Sequence, residues 1–279
     1  MTTSKVQREY HYTKSDFEFI KKLVYKVSGI NLSDAKSDMV YSRLARRLRA
    51  LKLTDVKSYC NYLETHQEDE LEHAINAITT NLTHFFREKH HFDLLKSRII
   101  PEVVKNQPRG KKLRIWSAGC STGEEPYSIA MTLKDALPNY SQWDCKILAT
   151  DLDTNVIETC IAGEYEEKRI EPIEERNAKR WFKAHPSRAR YMNIDQELKN
   201  NIAFKQLNLM DEWPIQGPFD VIFCRNVVIY FDKPTQQKLF ARFYDLLAPG
   251  GYLFLGHSEQ LGQFQSNFDV LGKTSFKKV

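Results

Sequence analysis

The chain is poor in the features that define several protein classes. Its five cysteines (Cys60, Cys120, Cys145, Cys160 and Cys224) are scattered, odd in number and form no C-x-x-C pair. That spacing speaks against a disulfide framework or a structural zinc site, and a cytoplasmic, reducing compartment is expected. No apolar run is long enough to span a bilayer, because the longest, Phe219 to Phe231, is broken by Asp220, Arg225 and Asn226. The first fifteen residues are polar and lack the apolar centre of a signal peptide. The histidines include His90-His91 but no H-E-x-x-H, so no metal is expected.

What is present is globular. Hydrophobic residues make up 42% of the chain and charged residues 28%, enough of each for a folded protein with a solvated surface. At 279 residues the chain suggests about two domains. The net charge of +5 favours an acidic partner without requiring nucleic acid.

The first eighty residues read as helices. Ser15 and Glu18 form a candidate capping box, and Phe17, Ile20, Val24 and Val27 recur at helical spacing before Gly29. A second helix carries Val40, Leu44, Leu48 and Leu51 on one stripe and Arg43, Arg46, Arg47, Arg49 and Lys52 elsewhere. Thr54 is placed to cap a third, and Leu71, Ala74, Ile75 and Ile78 mark a fourth. After Pro108-Arg109-Gly110 the period changes to short apolar strands at Leu113–Trp116, Lys146–Ala149, Ala203–Leu207, Val221–Cys224 and Tyr252–Leu255. Helix-length segments separate most of them, which predicts a parallel α/β sheet. Residues 163–203 are too long for a plain connection and read as a small inserted subdomain, helical over Pro172–His185 and strand-like at Arg190–Ile194.

Leu113 to Ser128 is a strand, glycine turn and helix start, with Gly119 and Gly123 letting the backbone pass close beneath a ligand. It is not a P-loop, because Glu124-Glu125 follows Gly123 and would repel a pyrophosphate. Asp151 ends the second strand, where a carboxylate can accept both ribose hydroxyls; the plainer alternative is that it caps the next helix. Asn208-Leu209 and Arg225-Asn226 end the third and fourth strands on the same sheet edge. The order and spacing fit a Rossmann-like domain dependent on S-adenosylmethionine (SAM).

Four segments go further: Asn81-Leu-Thr-His-Phe-Phe-Arg-Glu, Ser117-Ala-Gly-Cys-Ser-Thr-Gly-Glu-Glu-Pro-Tyr-Ser, Phe223-Cys-Arg-Asn-Val-Val-Ile-Tyr-Phe-Asp and Gly256-His-Ser-Glu. With these, the chain closely resembles the bacterial chemotaxis receptor methyltransferase (CheR-type) family along essentially its whole length. The resemblance implies an N-terminal helical domain with linker over 1–88 and a methyltransferase domain over 89–279, with the insertion at about 163–203. It implies transfer of the SAM methyl group to glutamates on the cytoplasmic helices of chemoreceptors, giving glutamyl methyl esters and S-adenosylhomocysteine. Carried over by position, the cofactor contacts are Asn81, Thr83, Arg87, Glu125, Asp151, Asn208, Leu209, Arg225 and Asn226, with Glu124 and Glu125 not separable by counting. Arg87 and Tyr230 fall near the transferred methyl. The resemblance also favours docking of acidic receptor helices on Arg43, Arg46, Arg47 and Arg49, against a plain solvated face. The segment Phe182–Tyr191 lacks the glycine-containing insertion expected of relatives tethered to a receptor C-terminal pentapeptide, so recognition without that tether is expected.

Two other readings share these residues. A nucleic-acid methyltransferase suits the positive charge, yet Cys224-Arg-Asn-Val stands where amino-methylating DNA enzymes carry Asp/Asn-Pro-Pro-Tyr/Phe. A non-enzymatic SAM-binding signalling protein would keep the pocket without turnover. The expectation is a monomeric cytoplasmic enzyme that neither binds nucleic acid nor inserts into a membrane.

Overall fold

The computed structural model describes residues 8–106 and 110–279. Pro108 and Arg109, at the predicted change of period, lie outside the described residues, as do the first seven. The chain forms two compact units. One comprises the chain up to Thr80 with Tyr230–Asp232; the other comprises Asn81–Ile229 and Lys233–Val279.

The helical unit is built from α1 (Lys14–Ser28), α2 (Ser37–Leu51), α3 (Val56–Thr65) and α4 (Gln67–Ile78). The capping box of α1 is Thr13 with Asp16, two residues before the predicted pair, because Thr13 alone has the extended backbone a cap needs. Likewise Asp55, not Thr54, caps α3 by accepting from the Ser58 amide. Phe17, Ile20, Val24, Val40, Leu44 and Leu48 are buried, as their spacing predicts. The basic residues of α2 are not one free stripe. Arg43 donates to the Ile78 and Thr79 carbonyls, closing the end of α4. Arg47 grips the buried Glu70 with Nε at 2.9 Å, and Tyr59 donates to the same carboxylate at 2.8 Å. Arg46 and Arg49 remain exposed.

The larger unit begins with α5 (His90–Leu94), which continues through a π turn into α6 (Ile100–Asn106). Its sheet is assembled from β1 (Lys112–Ala118), β2 (Asp144–Asp151), and, after three short strands of the insertion, β6 (Ile202–Gln206), β7 (Phe219–Cys224) and β8 (Leu247–Leu255). The insertion's strands are β3 (Glu164–Glu166), β4 (Phe182–Ala184) and β5 (Tyr191–Ile194), and β9 (Phe268–Gly272) and β10 (Ser275–Lys278) close the chain. Spatial order is β6-β2-β1-β7-β8-β10-β9. The first five are parallel and the last two antiparallel. Crossover helices are α7 (Glu124–Ala136), α8 (Thr154–Ala162) and α12 (Lys233–Leu246). The parallel part is a doubly wound sheet whose order reverses between β1 and β7, where such folds open a crevice for ligands.

The insertion differs in detail from its reading. Within Pro172–His185 only α10 (Glu175–Trp181) is helical, after a one-turn α9 (Glu167–Ile170). Phe182–Ala184 then becomes β4, pairing with β5 in the three-stranded sheet β3-β5-β4, and α11 (Gln196–Lys199) leads back to the large sheet. The switch follows burial: Trp181 and Phe182 are both buried, and Phe182 meets Phe85 edge-on.

Beyond the exposed Lys112 both faces of β1 are covered, so its side chains are apolar or hydrogen-bonded from Leu113 on. Trp116 is fully buried among Trp213, Phe219 and Phe243, and its indole N–H donates to Thr150 at 2.9 Å. On the other face Tyr127, Tyr165 and Phe204 pack together. Among the described residues no helix is long and apolar enough to cross a membrane. Replacing Trp116 with Ala empties the centre of this cluster and strands Thr150. The expected loss is about 3–5 kcal/mol, read as a lower midpoint in urea denaturation with the far-ultraviolet spectrum retained.

Candidate functional site

Four strand ends, those of β1, β2, β6 and β7, meet at the crevice. After β1 the backbone turns at Gly119 and Gly123, with φ of +90° and +97°. Neither position has room for a side chain: a Cβ would stand 2.3 Å from Val227 at Gly119 and 2.7 Å from the Tyr165 hydroxyl at Gly123. The Gly119 and Cys120 amides donate to the Thr150 carbonyl, which ties this turn to the end of β2. Tyr165 donates to the Thr122 carbonyl at 2.6 Å, so the insertion holds the turn from the other side.

Asp151 follows Thr150. One of its oxygens accepts from the Ser121 amide at 2.8 Å and the other from the Asp153 amide at 3.1 Å. Asp153 is the residue that caps α8, so Asp151 is not spent as a helix cap. Burial pushes the Asp151 carboxyl up to about 6, against the pull of those amides. Asn81 donates to Asp153 at 2.7 Å, and its carbonyl accepts from Ser121 at 2.9 Å, which brings Asn81 to this strand end. The Leu207 amide donates to the Asp151 carbonyl, placing Asn208 and Leu209 beside it. Asn208 accepts from the Met210 amide and Leu209 is buried.

At the end of β7, Arg225 is 6% exposed. It donates to Glu125 at 2.9 Å, lies 3.4 Å from Glu88 and donates to the Arg87 carbonyl. Glu125 accepts from Ser117 at 2.7 Å as well. Burial raises the Glu125 carboxyl despite Arg225. For Glu88, burial acts in the same direction but is outweighed by Arg225 and by hydrogen bonds from His257, which hold it down to about 2. Glu124 points elsewhere, pairing with Arg169 of the insertion and accepting from Thr122. Asn226 adopts φ +59° and reaches Glu88 at 3.4 Å.

The structure therefore brings Asn81, Arg87, Glu125, Asp151, Asn208, Leu209, Arg225 and Asn226 to one edge of the sheet. Thr83 is half-buried in the segment between Asn81 and Arg87, and the Arg87 guanidinium donates back to the Leu82 carbonyl at 2.8 Å. Tyr230 ends the single turn Val228–Tyr230 and sorts with the helical unit, where its carbonyl accepts from Asn31. Glu88 had no role in the sequence reading, although it is adjacent to Arg87. No local pattern in the sequence ties Glu88 to Arg225; only the fold brings the two together.

Glu88, His90 and His91 present ligand atoms within 4.8 Å of one another. Burial and the Arg225 charge push His91 down to about 3, leaving it neutral. The carboxylate between them already faces Arg225, so a second cation there meets repulsion.

The donor set fits a nucleoside bearing a sulfonium amino acid better than a nucleotide. A buried carboxylate ends β2 for hydroxyl donors, the helix start after the glycine turn is acidic, and the sheet edge offers further carboxylates to an ammonium.

Comparison with known proteins agrees. Residues 15–79 match the model for the all-alpha domain of CheR methyltransferases, and residues 81–277 match that for their SAM binding domain. The chain is 42% identical over 258 residues to a probable chemotaxis protein methyltransferase of Rhizobium etli, covering 91% of this chain and 96% of that one. It is 44% identical over 271 residues to chemotaxis protein methyltransferase 2 of Pseudomonas aeruginosa, covering 96% and 95%. Against the chemotaxis protein methyltransferase of Escherichia coli it is 44% identical over 264 residues, covering 93% and 89%.

Replacing Arg225 with Met removes the cation shared by Glu88 and Glu125. The expected cost is about 3–5 kcal/mol near pH 7.5, measured by urea denaturation. The loss should shrink at pH 5, because protonation of Glu125, whose carboxyl is raised, relieves its unpaired charge. An equal loss at both pH values would show that charge neutralisation is not what Arg225 provides.

Proposed function

The chain belongs to the CheR methyltransferase family, and we propose that it methylates glutamate side chains on the cytoplasmic helices of chemoreceptors, releasing glutamyl methyl esters and S-adenosylhomocysteine. Family membership makes it a SAM-dependent methyltransferase of chemotaxis; the glutamate acceptor, the residue roles and the docking surface are the proposal. The observation that carries it is the convergence of Asp151, Glu125 and Arg225 at adjoining strand ends beside the Asn81–Arg87 segment. In functional terms residues 1–88 form a helical domain with linker and 89–279 the transferase domain, with the insertion at about 163–203.

Asp151 holds the ribose hydroxyls, and Asn208 with Leu209 borders the adenine. Asn81, Thr83, Glu125, Arg225 and Asn226 enclose the amino-acid end, with Glu125 chosen over Glu124 because it faces Arg225 while Glu124 is engaged by Arg169. Bound SAM supplies a methyl group on a sulfonium that is already a good leaving group. The acceptor glutamate, with an ordinary carboxyl near 4.3, is ionised at neutral pH and needs no general base. What the protein adds is alignment and partial exclusion of water. Arg87 positions a carboxylate by charge, and Tyr230 orients the acceptor by its hydroxyl. A grip stronger than positioning would draw density from the attacking oxygen, so Arg87 does not activate it.

The exposed Arg46 and Arg49 of α2 supply the docking charge, while Arg43 and Arg47 serve the helical unit itself. The short glycine-free turn between β4 and β5 supports recognition without a pentapeptide tether. The working form is a cytoplasmic monomer.

Three measurements test this reading. Labelled methyl incorporated into a receptor fragment should be released by mild alkali, as an ester is, and Arg87→Ala should lower incorporation by about 100-fold or more. Stable label or unchanged turnover refutes the assignment. In calorimetry, S-adenosylhomocysteine should bind about tenfold more weakly at pH 5 than at pH 7.5, because hydroxyl donors favour ionised Asp151 and protonation below about 6 opposes binding. Asp151→Asn should bind weakly and lose that pH dependence. Charge reversal of Arg46 and Arg49 should raise the KM for receptor at low salt and lose its effect at high salt; salt-independent behaviour leaves α2 merely solvated.

A further inference from the structure

Glu259, the last residue of the Gly256-His-Ser-Glu segment, has no part in the reading above. It lies in the loop after β8 and is 3% exposed. Its partners are backbone amides. One oxygen accepts from Gly256 at 2.5 Å and from Asn226 at 2.8 Å; the other accepts from Ile229 at 3.2 Å. The Val227 amide donates to it as well. A single carboxylate thus collects three amides from the stretch that leaves β7 and pins them to the loop that leaves β8.

That stretch needs holding. Asn226 sits in the left-handed region at φ +59°, which asparagine tolerates better than most residues but which its surroundings must still select. Apolar packing does not supply the restraint on one side, where a cavity of about 220 Å³ is bordered by Val228, Ile229, Lys233, Gln236, Ser258 and Gln260. Ile229 is exposed. Besides Glu259, the turn is anchored by Gln236, whose amide donates to the Val228 carbonyl at 2.8 Å. Gly256 closes against the same residue: a Cβ there would stand 2.3 Å from the Asn226 amide nitrogen of the side chain and 2.7 Å from its backbone nitrogen.

We propose that Glu259 is a positioning residue for methyl transfer, its carboxylate fixing the Asn226–Tyr230 segment in the one backbone conformation that aims Asn226 and Tyr230. The proposal rests on the reading that those two residues serve the cofactor and the acceptor. A carboxylate is required because both oxygens must accept; a glutamine of the same shape turns an NH2 toward at least one of the amides.

The test uses the full chain, SAM and a receptor fragment, with Glu259→Gln and Gly256→Ala. Amide hydrogen exchange of Glu259→Gln should be at least tenfold faster at Asn226, Val227 and Ile229 and unchanged in β7. Its kcat should fall by tenfold or more and by clearly more than S-adenosylhomocysteine affinity, which weakens only through Asn226, since Asp151 and Glu125 keep their places. Gly256→Ala, which displaces the same segment while keeping the carboxylate in the chain, should show the same split and decides the question if the first variant does not fold. Unchanged exchange at the three amides, turnover within twofold of the parent, or a loss of kcat matched by an equal loss of affinity overturns the proposal. A parent chain with no base-labile transfer would instead sink the functional reading, while the exchange data would still report what Glu259 holds.

Discussion

Arg225 is the charge around which the transferase unit is arranged. A guanidinium almost wholly removed from water is costly unless its charge and most of its donors are met; only the Nε of Arg225 is left without a partner. Here Glu125 meets it from the start of α7, Glu88 from the segment before α5, and the Arg87 carbonyl from the same segment. Two stretches separated by dozens of residues are thereby drawn to the end of β7. Remove the cation and two buried carboxylates face each other in a medium that screens them poorly. The same network that makes the fold costly makes this strand end polar and ties it to its neighbours.

The sheet provides this economically. Parallel strands β2, β1 and β7 present their ends at one edge, and short loops there need only a few residues to reach the crevice. Glycines appear where the backbone must pass under a neighbour, at Gly119 beneath Val227 and at Gly256 against Asn226. Polar groups left by the tight turns are answered by carboxylates, with Asp151 under the β1 turn and Glu259 under the β7 turn. Each strand end is therefore tied to its neighbour by hydrogen bonds as well as by packing.

The sequence was most legible where periodicity and turn chemistry coincide. The five parallel strands and the four N-terminal helices stand close to where alternation, stripes and glycine turns place them, and Asp151 is where a strand-terminal carboxylate is expected. Local ambiguity won elsewhere. Thr13, Ser15, Thr54 and Asp55 are all capable caps, and backbone geometry chose among them. The C-terminal hairpin β9–β10 carries weak alternation, and of the three residues at positive φ around its turn, Gly272, Lys273 and Thr274, only the glycine announces it. Tertiary pairing is not visible at all from one chain: nothing local distinguishes Arg47, bound to buried Glu70, from exposed Arg46, and nothing local joins Arg225 to Glu88.

The insertion has one further consequence. Its root is built into the cofactor side of the domain: Tyr165 donates to Thr122, Arg169 pairs with Glu124, and Gly123 has no space because Tyr165 fills it. Its tip, from Lys183 to Arg190, is solvent-facing and bears on none of these contacts. The subdomain is thus a graft with a fixed stem and a free crown. Residues at the crown can be exchanged without disturbing the glycine turn, whereas a change at the stem is felt at once in that turn.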